Sequence, residues 1–166
     1  MSTLEDLKEA FAGESQANRR YLAYGEQAET DGFPGVAKLF RAVAAAETIH
    51  ALAHLRAMDG VAGTAANLVD AMAGEKDEFT EMYPPMLERA QEEGHKKATR
   101  SMRYALEVEK VHYDLFTKAL AAVTDGTDLG DVHTRVCPHC GHTVIGEAPD
   151  ACPVCGCKGE RYLEIE

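Results

Sequence analysis

The sequence has no tryptophan, no cysteine before position 137 and no apolar run that approaches the length of a membrane span. Each absence excludes something. A spanning helix needs about 20 consecutive apolar residues. The first six residues, Met1-Ser2-Thr3-Leu4-Glu5-Asp6, carry neither the basic stretch nor the apolar core of an export signal. The expectation is a cytoplasmic protein without a membrane. Positive charge is also scarce: 17 Lys and Arg stand against 28 Asp and Glu, a net charge of -11. Nucleic acid and anionic membranes are thereby excluded as partners, because both require a basic surface. A disulfide framework would spread cysteines along the chain. All five here fall between Cys137 and Cys157, which reads as metal binding.

What is abundant is acid, and a protein that gathers glutamates around cations looks over-acidic until the cations are counted. A hydrophobic content of 45% in 166 residues is enough to fill a core. Composition changes near residue 125. Before it lie Ala-, Glu-, Leu- and Lys-rich stretches of helical periodicity, punctuated by Asp31-Gly32-Phe33-Pro34-Gly35, Asp59-Gly60-Val61-Ala62-Gly63 and Glu93-Gly94-His95. This punctuation predicts helices over 3–30, 35–58, 65–93 and 95–123. Long helices joined by short turns predict an all-α four-helix bundle over 1–124. Pro84-Pro85 predicts a kink in the third helix, since proline lacks an N–H and clashes with the preceding turn. A polar linker over 125–133 leads to a Cys-, Gly- and Pro-rich domain over 134–166. That piece is too small for its own hydrophobic core and needs a metal staple, with short β strands and turns around it.

The helical seams carry the strongest signal. Positions three and four apart should be apolar where they face a core. They read Leu7, Phe11, Glu14, Asn18, Tyr21 in the first helix and Phe40, Val43, Glu47, His50 in the second. The third gives Leu68, Met72, Glu75, Phe79 and the fourth Ala105, Glu109, His112, Phe116. Each seam is broken near its centre by Glu, or by Glu and His three apart. Burying an isolated carboxylate costs several kcal/mol or more, so such a core needs neutralisation. Divalent cations supply it. Glu47-x-x-His50 and Glu109-x-x-His112 each place a carboxylate and an imidazole on one helix face. One Glu from each of two helices plus Glu-x-x-His from the other two is the ligand pattern of ferritin-like di-iron or di-manganese bundles. Mixed oxygen and imidazole ligands suit iron or manganese. His54, one turn after His50, reads as a residue behind the ligands or at the surface rather than half of a His-x-x-x-His zinc pair, His95 reads as plain surface, and Gly25 reads either as a point of close helix approach or as carrying no meaning.

At the other end, Cys137-Pro138-His139-Cys140-Gly141 and Cys152-Pro153-Val154-Cys155-Gly156 make two C-x2-C pairs. Four thiolates at this spacing bind one tetrahedral metal. Zinc and iron both accept such a site. Beside a di-iron bundle, iron makes redox sense. Cys157 stands outside the repeat and reads as a bystander.

Taken together, Phe11-Ala12-Gly13-Glu14-Ser15-Gln16-Ala17, Glu47-x-x-His50, Gly74-Glu75-x-x-Glu78 with Met82-Tyr83-Pro84, Glu109-x-x-His112 and the two Cys-Pro-x-Cys-Gly motifs resemble the rubrerythrin family over essentially the whole chain, ending in a rubredoxin-like domain. The resemblance implies a non-haem di-iron peroxidase that reduces hydrogen peroxide to water in oxidative stress defence. Electrons would come from an external donor, an NAD(P)H-dependent reductase or rubredoxin, through the tetrathiolate iron. It implies two irons in a carboxylate-bridged site and one in the four-cysteine site, with zinc able to occupy either as prepared. It implies that Glu47 and Glu109 bridge, that Glu14 and Glu78 hold one iron, and that Glu75 and His112 hold the other. It further implies that His50 exchanges with Glu78 on reduction, that Tyr83 hydrogen-bonds near Glu78, that Tyr21 lies behind the ligands, and that the protein is a homodimer. Pro85 and Cys157 depart from the family pattern without touching a ligand position. The alternatives are a ferroxidase or iron-handling ferritin-like protein, and a zinc-ribbon interaction module on a helical bundle.

Overall fold

Ser2 starts the first helix by capping it. Its side chain accepts from the Glu5 amide while Glu5 reaches back to the Ser2 amide, so two otherwise orphaned donors are satisfied. The computed structural model describes residues 2–130 and 132–165. Asp131, in the expected linker, lies outside the described residues. The chain divides into two compact units, Met1–Ala62 and Gly63–Glu166.

The first unit is a helical hairpin. Helix α1 runs Thr3–Thr30 and α2 runs Pro34–Ala57. Pro34 sits in the first turn of α2, where its missing N–H is harmless. The interface is built of small residues. Ala37, Ala44 and Ala51 recur every seventh position on α2 and are all buried, opposite Ala17, Asn18, Gly25 and Ala28 of α1. A Cβ on Gly25 would lie 3.4 Å from the Ala37 carbonyl oxygen. Gly25 therefore does mark a close approach of the two backbones.

The second unit begins with α3, Thr64–Asp77. The expected kink takes a different form here. Residues Glu78–Met82 form a π-helical turn, and α4 follows at once over Tyr83–Glu92. The Tyr83 amide donates to the Glu78 carbonyl five residues back. Pro84 and Pro85 then occupy the first turn of α4, where absent donors are tolerated. The disturbance is thus displaced upstream, to the turn holding Glu78. Gly94, with φ 66°, ends this arm, and α5 runs Lys96–Thr124 against α3 and α4. His95 caps α5, its Nδ1 accepting from the Ala98 amide at 3.2 Å.

The C-terminal part belongs to this same unit. Strands β1 (Thr134–Val136), β2 (Thr143–Ile145) and β3 (Leu163–Ile165) form an antiparallel sheet ordered β2-β1-β3. Three-residue strands cannot support a domain alone. Its core is Cys137, Cys152 and Tyr162, the centre of a metal knuckle, and β2 rests on α5. No helix is long and apolar enough to cross a membrane among the described residues.

Candidate metal centres

In the hairpin unit, Glu14 of α1 meets Glu47 and His50 of α2. His50 Nδ1 is 3.1 Å from Glu47 Oε2 and 4.0 Å from Glu14 Oε1. One turn away, buried Asn18 fixes the register between the helices. Its Nδ2 donates to the Ala44 carbonyl at 2.6 Å and to Thr48 Oγ1 at 2.8 Å, while Arg19 Nε donates to its Oδ1 at 2.8 Å. The two carboxyls crowd each other. A hydrogen bond with Glu47 pushes the Glu14 carboxyl up, and the same bond, with one from His50, holds Glu47 down.

The second unit repeats the arrangement. His112 Nδ1 is 2.8 Å from Glu109 Oε2 and 3.7 Å from Glu75 Oε2. Burial, then the Glu109 charge, raises the Glu75 carboxyl. Burial, then the Glu75 and Asp77 charges, raises Glu78. Tyr83 is raised by burial and then by Glu78, so its hydroxyl keeps its proton. Glu78 stands one helical turn beyond Glu75, outside the triad that Glu75 makes with Glu109 and His112.

Within each triad the donor atoms lie within 4.8 Å of one another. Ligand bonds of about 2.0–2.2 Å put donors on one metal up to about 4 Å apart, so both sets fit a cation with little rearrangement. His54, half-buried, belongs to neither set. Tyr21 packs its ring against Tyr24 and Phe40, at centroid distances of 6.3 and 6.2 Å.

The knuckle assembles Cys137, Cys140, Cys152 and Cys155. Sγ atoms of Cys137 and Cys155 are 3.6 Å apart, and those of Cys140 and Cys152 are 3.5 Å apart. A disulfide would bring sulfurs to about 2.05 Å, whereas metal–sulfur bonds of about 2.3 Å give a tetrahedral edge of about 3.8 Å. The spacing is that of a tetrathiolate. Burial raises the Cys140 thiol. Burial opposes ionisation of Cys152 too, but hydrogen bonds from Tyr162 and the backbone at Cys155 and Val154 bring it down to about 6. Tyr162 in turn pairs with buried His142 at 3.0 Å. Cys157 packs beside the cluster but is not one of its four ligands.

The sequence did not point to what lies behind His112. Its Nε2 faces Thr143 Oγ1 at 3.1 Å and the Gly141 carbonyl at 3.4 Å, both on the knuckle. A mostly apolar cleft of about 520 Å³, lined by Leu68, Phe116, Leu129 and Ile145 among others, ends at Glu75, His112 and Thr143.

Comparison with known proteins agrees with this donor chemistry. The family model described as Rubrerythrin matches residues 5–120. Rubrerythrin-2 of Clostridium acetobutylicum is 37% identical over 174 residues, covering 96% of this chain and 95% of its own. Nigerythrin of Nitratidesulfovibrio vulgaris is 38% identical over 168 residues, covering 93% and 82%. Among solved structures, nigerythrin in a mixed-valence state superposes with a TM-score of 0.59 at 33% identity, over 99% of this chain and 87% of that one. Its fully reduced, all-ferrous form gives a TM-score of 0.58 at 33% identity, with the same coverage.

Proposed function

The chain belongs to the rubrerythrin family, and from that premise we propose that it is a peroxidase that reduces hydrogen peroxide to water. The family makes it a di-iron protein of oxidative stress defence, of the oxidoreductase type, supplied by an electron donor and often built as a homodimer. Its donor sets are those of a carboxylate-bridged di-iron site and one tetrathiolate iron site. The finer reading is that electrons pass from an NAD(P)H-dependent reductase or rubredoxin to the knuckle iron and on to the carboxylate site, in a cytoplasmic homodimer. Residues 1–124 carry the di-iron part, 125–133 the linker and 134–166 the electron-entry domain.

One observation supports this reading above the rest: the tetrathiolate knuckle rests directly on the candidate ligand His112. An iron-storage protein has no use for a tethered one-electron centre. When bound, the irons supply Lewis acidity and electrons. The balance is one peroxide, two electrons and two protons to two waters, with the O–O bond broken. The chain's residues hold and orient. With irons bound, Glu47 and Glu109 would be shared between them, Glu14 and Glu78 would hold one, with His50 taking the place of Glu78 on reduction, and Glu75 and His112 would hold the other. The Tyr83 hydroxyl, raised by burial and then by the Glu78 charge, keeps its proton beside the ligands and can deliver it.

The test compares peroxide and dioxygen as oxidants of the anaerobically reduced, iron-loaded protein. Faster reoxidation by peroxide, with the knuckle's visible absorption returning, supports the peroxidase. Faster iron oxidation by dioxygen, with the knuckle unaffected, favours a ferroxidase. A colourless knuckle holding only zinc would remove the electron route.

A further inference from the structure

Of the two candidate ligand histidines, His112 has something to hold its far side. Its Nδ1 faces Glu109 and Glu75, and its Nε2 faces the knuckle. The polarity of that second contact is determined by Thr143. A hydroxyl has one proton, and Thr143 donates it to the Gly141 carbonyl at 3.0 Å. Oγ1 therefore offers His112 a lone pair, at 3.1 Å. The Gly141 oxygen lies farther from Nε2, at 3.4 Å, and already accepts from Thr143. A neutral imidazole with its proton on Nε2 has a free lone pair on Nδ1, and that lone pair points at the carboxylates.

Thr143 is itself fixed. It opens β2, where it pairs with Val136. The turn before it is tied by Gly141 N–H donating to the Cys137 carbonyl at 2.9 Å and Cys137 N–H donating to the His142 carbonyl at 2.8 Å. Gly141 takes a φ of 87°, and Cys140 precedes it directly. The loop that carries two of the four thiolates thus also carries the acceptor for His112.

We propose that Thr143 is a positioning residue for His112. Its hydroxyl selects the Nε2–H tautomer and holds the ring so that Nδ1 meets the metal, which makes knuckle docking and ligand orientation one interaction. This assignment rests on the proposed role of His112 as a ligand. Partners that fix the far nitrogen of a ligating histidine typically change metal affinity by about 10–100-fold.

The experiment uses the full chain with its knuckle iron in place and titrates the carboxylate site with Mn(II), followed by electron paramagnetic resonance. Thr143→Val keeps the shape and strand preference but removes the acceptor. It should weaken one of two bound Mn(II) about tenfold and leave the other unchanged. Thr143→Ser should restore binding, and Thr143→Ala should behave like Val. The knuckle's visible absorption, equal in all four proteins, reports that the loop has kept its fold. In the iron-loaded protein, the potential of the carboxylate pair should rise in Thr143→Val and return in Thr143→Ser, because a histidine without its acceptor is a poorer donor to Fe(III). Full-affinity binding of both Mn(II) by Thr143→Val overturns the assignment, as does a loss in Thr143→Ser equal to that in Val. Wild-type protein that binds no metal at the carboxylates overturns the functional reading itself, a different result from two metals insensitive to position 143.

Discussion

In the α1–α2 hairpin, His50 sits 3.1 Å from Glu47, and no hydrogen bond within that unit engages its Nε2 among the described residues. In the Gly63–Glu166 unit, His112 makes the same i,i+3 contact at 2.8 Å, is 26% exposed, and has the knuckle behind it. One motif, Glu-x-x-His, therefore appears twice with different support. A ring with partners on both nitrogens has one orientation, whereas a ring held on one side can rotate away at little cost. This difference accords with the proposal that His50 is the exchanging ligand and His112 the permanent one. The carboxylates differ in the same way. Only the second unit has an additional Glu at the next turn, Glu78, and it opens a π-helical turn, a feature that often accompanies functional sites.

The largest expected effect tests whether the triads are equals as ligand sets. Glu47→Ala and Glu109→Ala should each lower peroxide turnover by more than about 100-fold, since even the outer partners of ligands are worth about 10–100-fold. Steady-state peroxide consumption checks it. A mild effect in one of them would break the pairing of the two halves. Next, the histidines should separate. His112→Ala should reduce the iron count of the oxidised carboxylate site from two to one, while His50→Ala should keep both irons and lose turnover, by metal analysis alongside the assay. Equal loss of iron in both variants would erase the asymmetry.

A smaller effect concerns pH. In the metal-free chain Glu75 and Glu78 are raised by burial and Glu14 by its bond to Glu47. A carboxyl raised on folding binds its proton more tightly in the folded state, so its destabilising effect is full above the raised value and disappears as pH falls below the unfolded one. Metal binding requires these groups ionised. The stabilisation by Mn(II), about 2.7 kcal/mol at 100 times the Kd, should therefore be greatest near neutral pH and shrink on acidification toward the ordinary carboxylate range. Thermal melts with and without Mn(II) at several pH values measure it. The smallest effect is expected for Tyr83→Phe, about fivefold in turnover, the worth of one hydrogen bond of about 1 kcal/mol, with the iron count unchanged.

Much of this was legible in the residues. Helix ends followed from Asp31-Gly32, Asp59-Gly60 and Gly94, because only a turn tolerates the positive φ found at Gly32, Asp59 and Gly94. The Glu and Glu-x-x-His positions stood out because charge on an apolar seam is expensive, and the cysteine spacing named its own geometry. The π-turn was not legible: Pro84-Pro85 announced a disturbance, but where the helix absorbs it depends on packing against α5. Nor was the His112–Thr143 contact, since a hydrogen bond across 31 positions leaves no local periodicity. His95 was expected at the plain surface, and its capping of α5 is a local contact that its place after Gly94 could have suggested.

Anaerobic titration of the fully reduced, three-iron protein with hydrogen peroxide probes the whole account at once. With every iron giving one electron and each peroxide taking two, about 1.5 equivalents per chain should oxidise all three irons, and the knuckle's visible band should return in full. A knuckle that stays reduced while the carboxylate irons oxidise would contradict it.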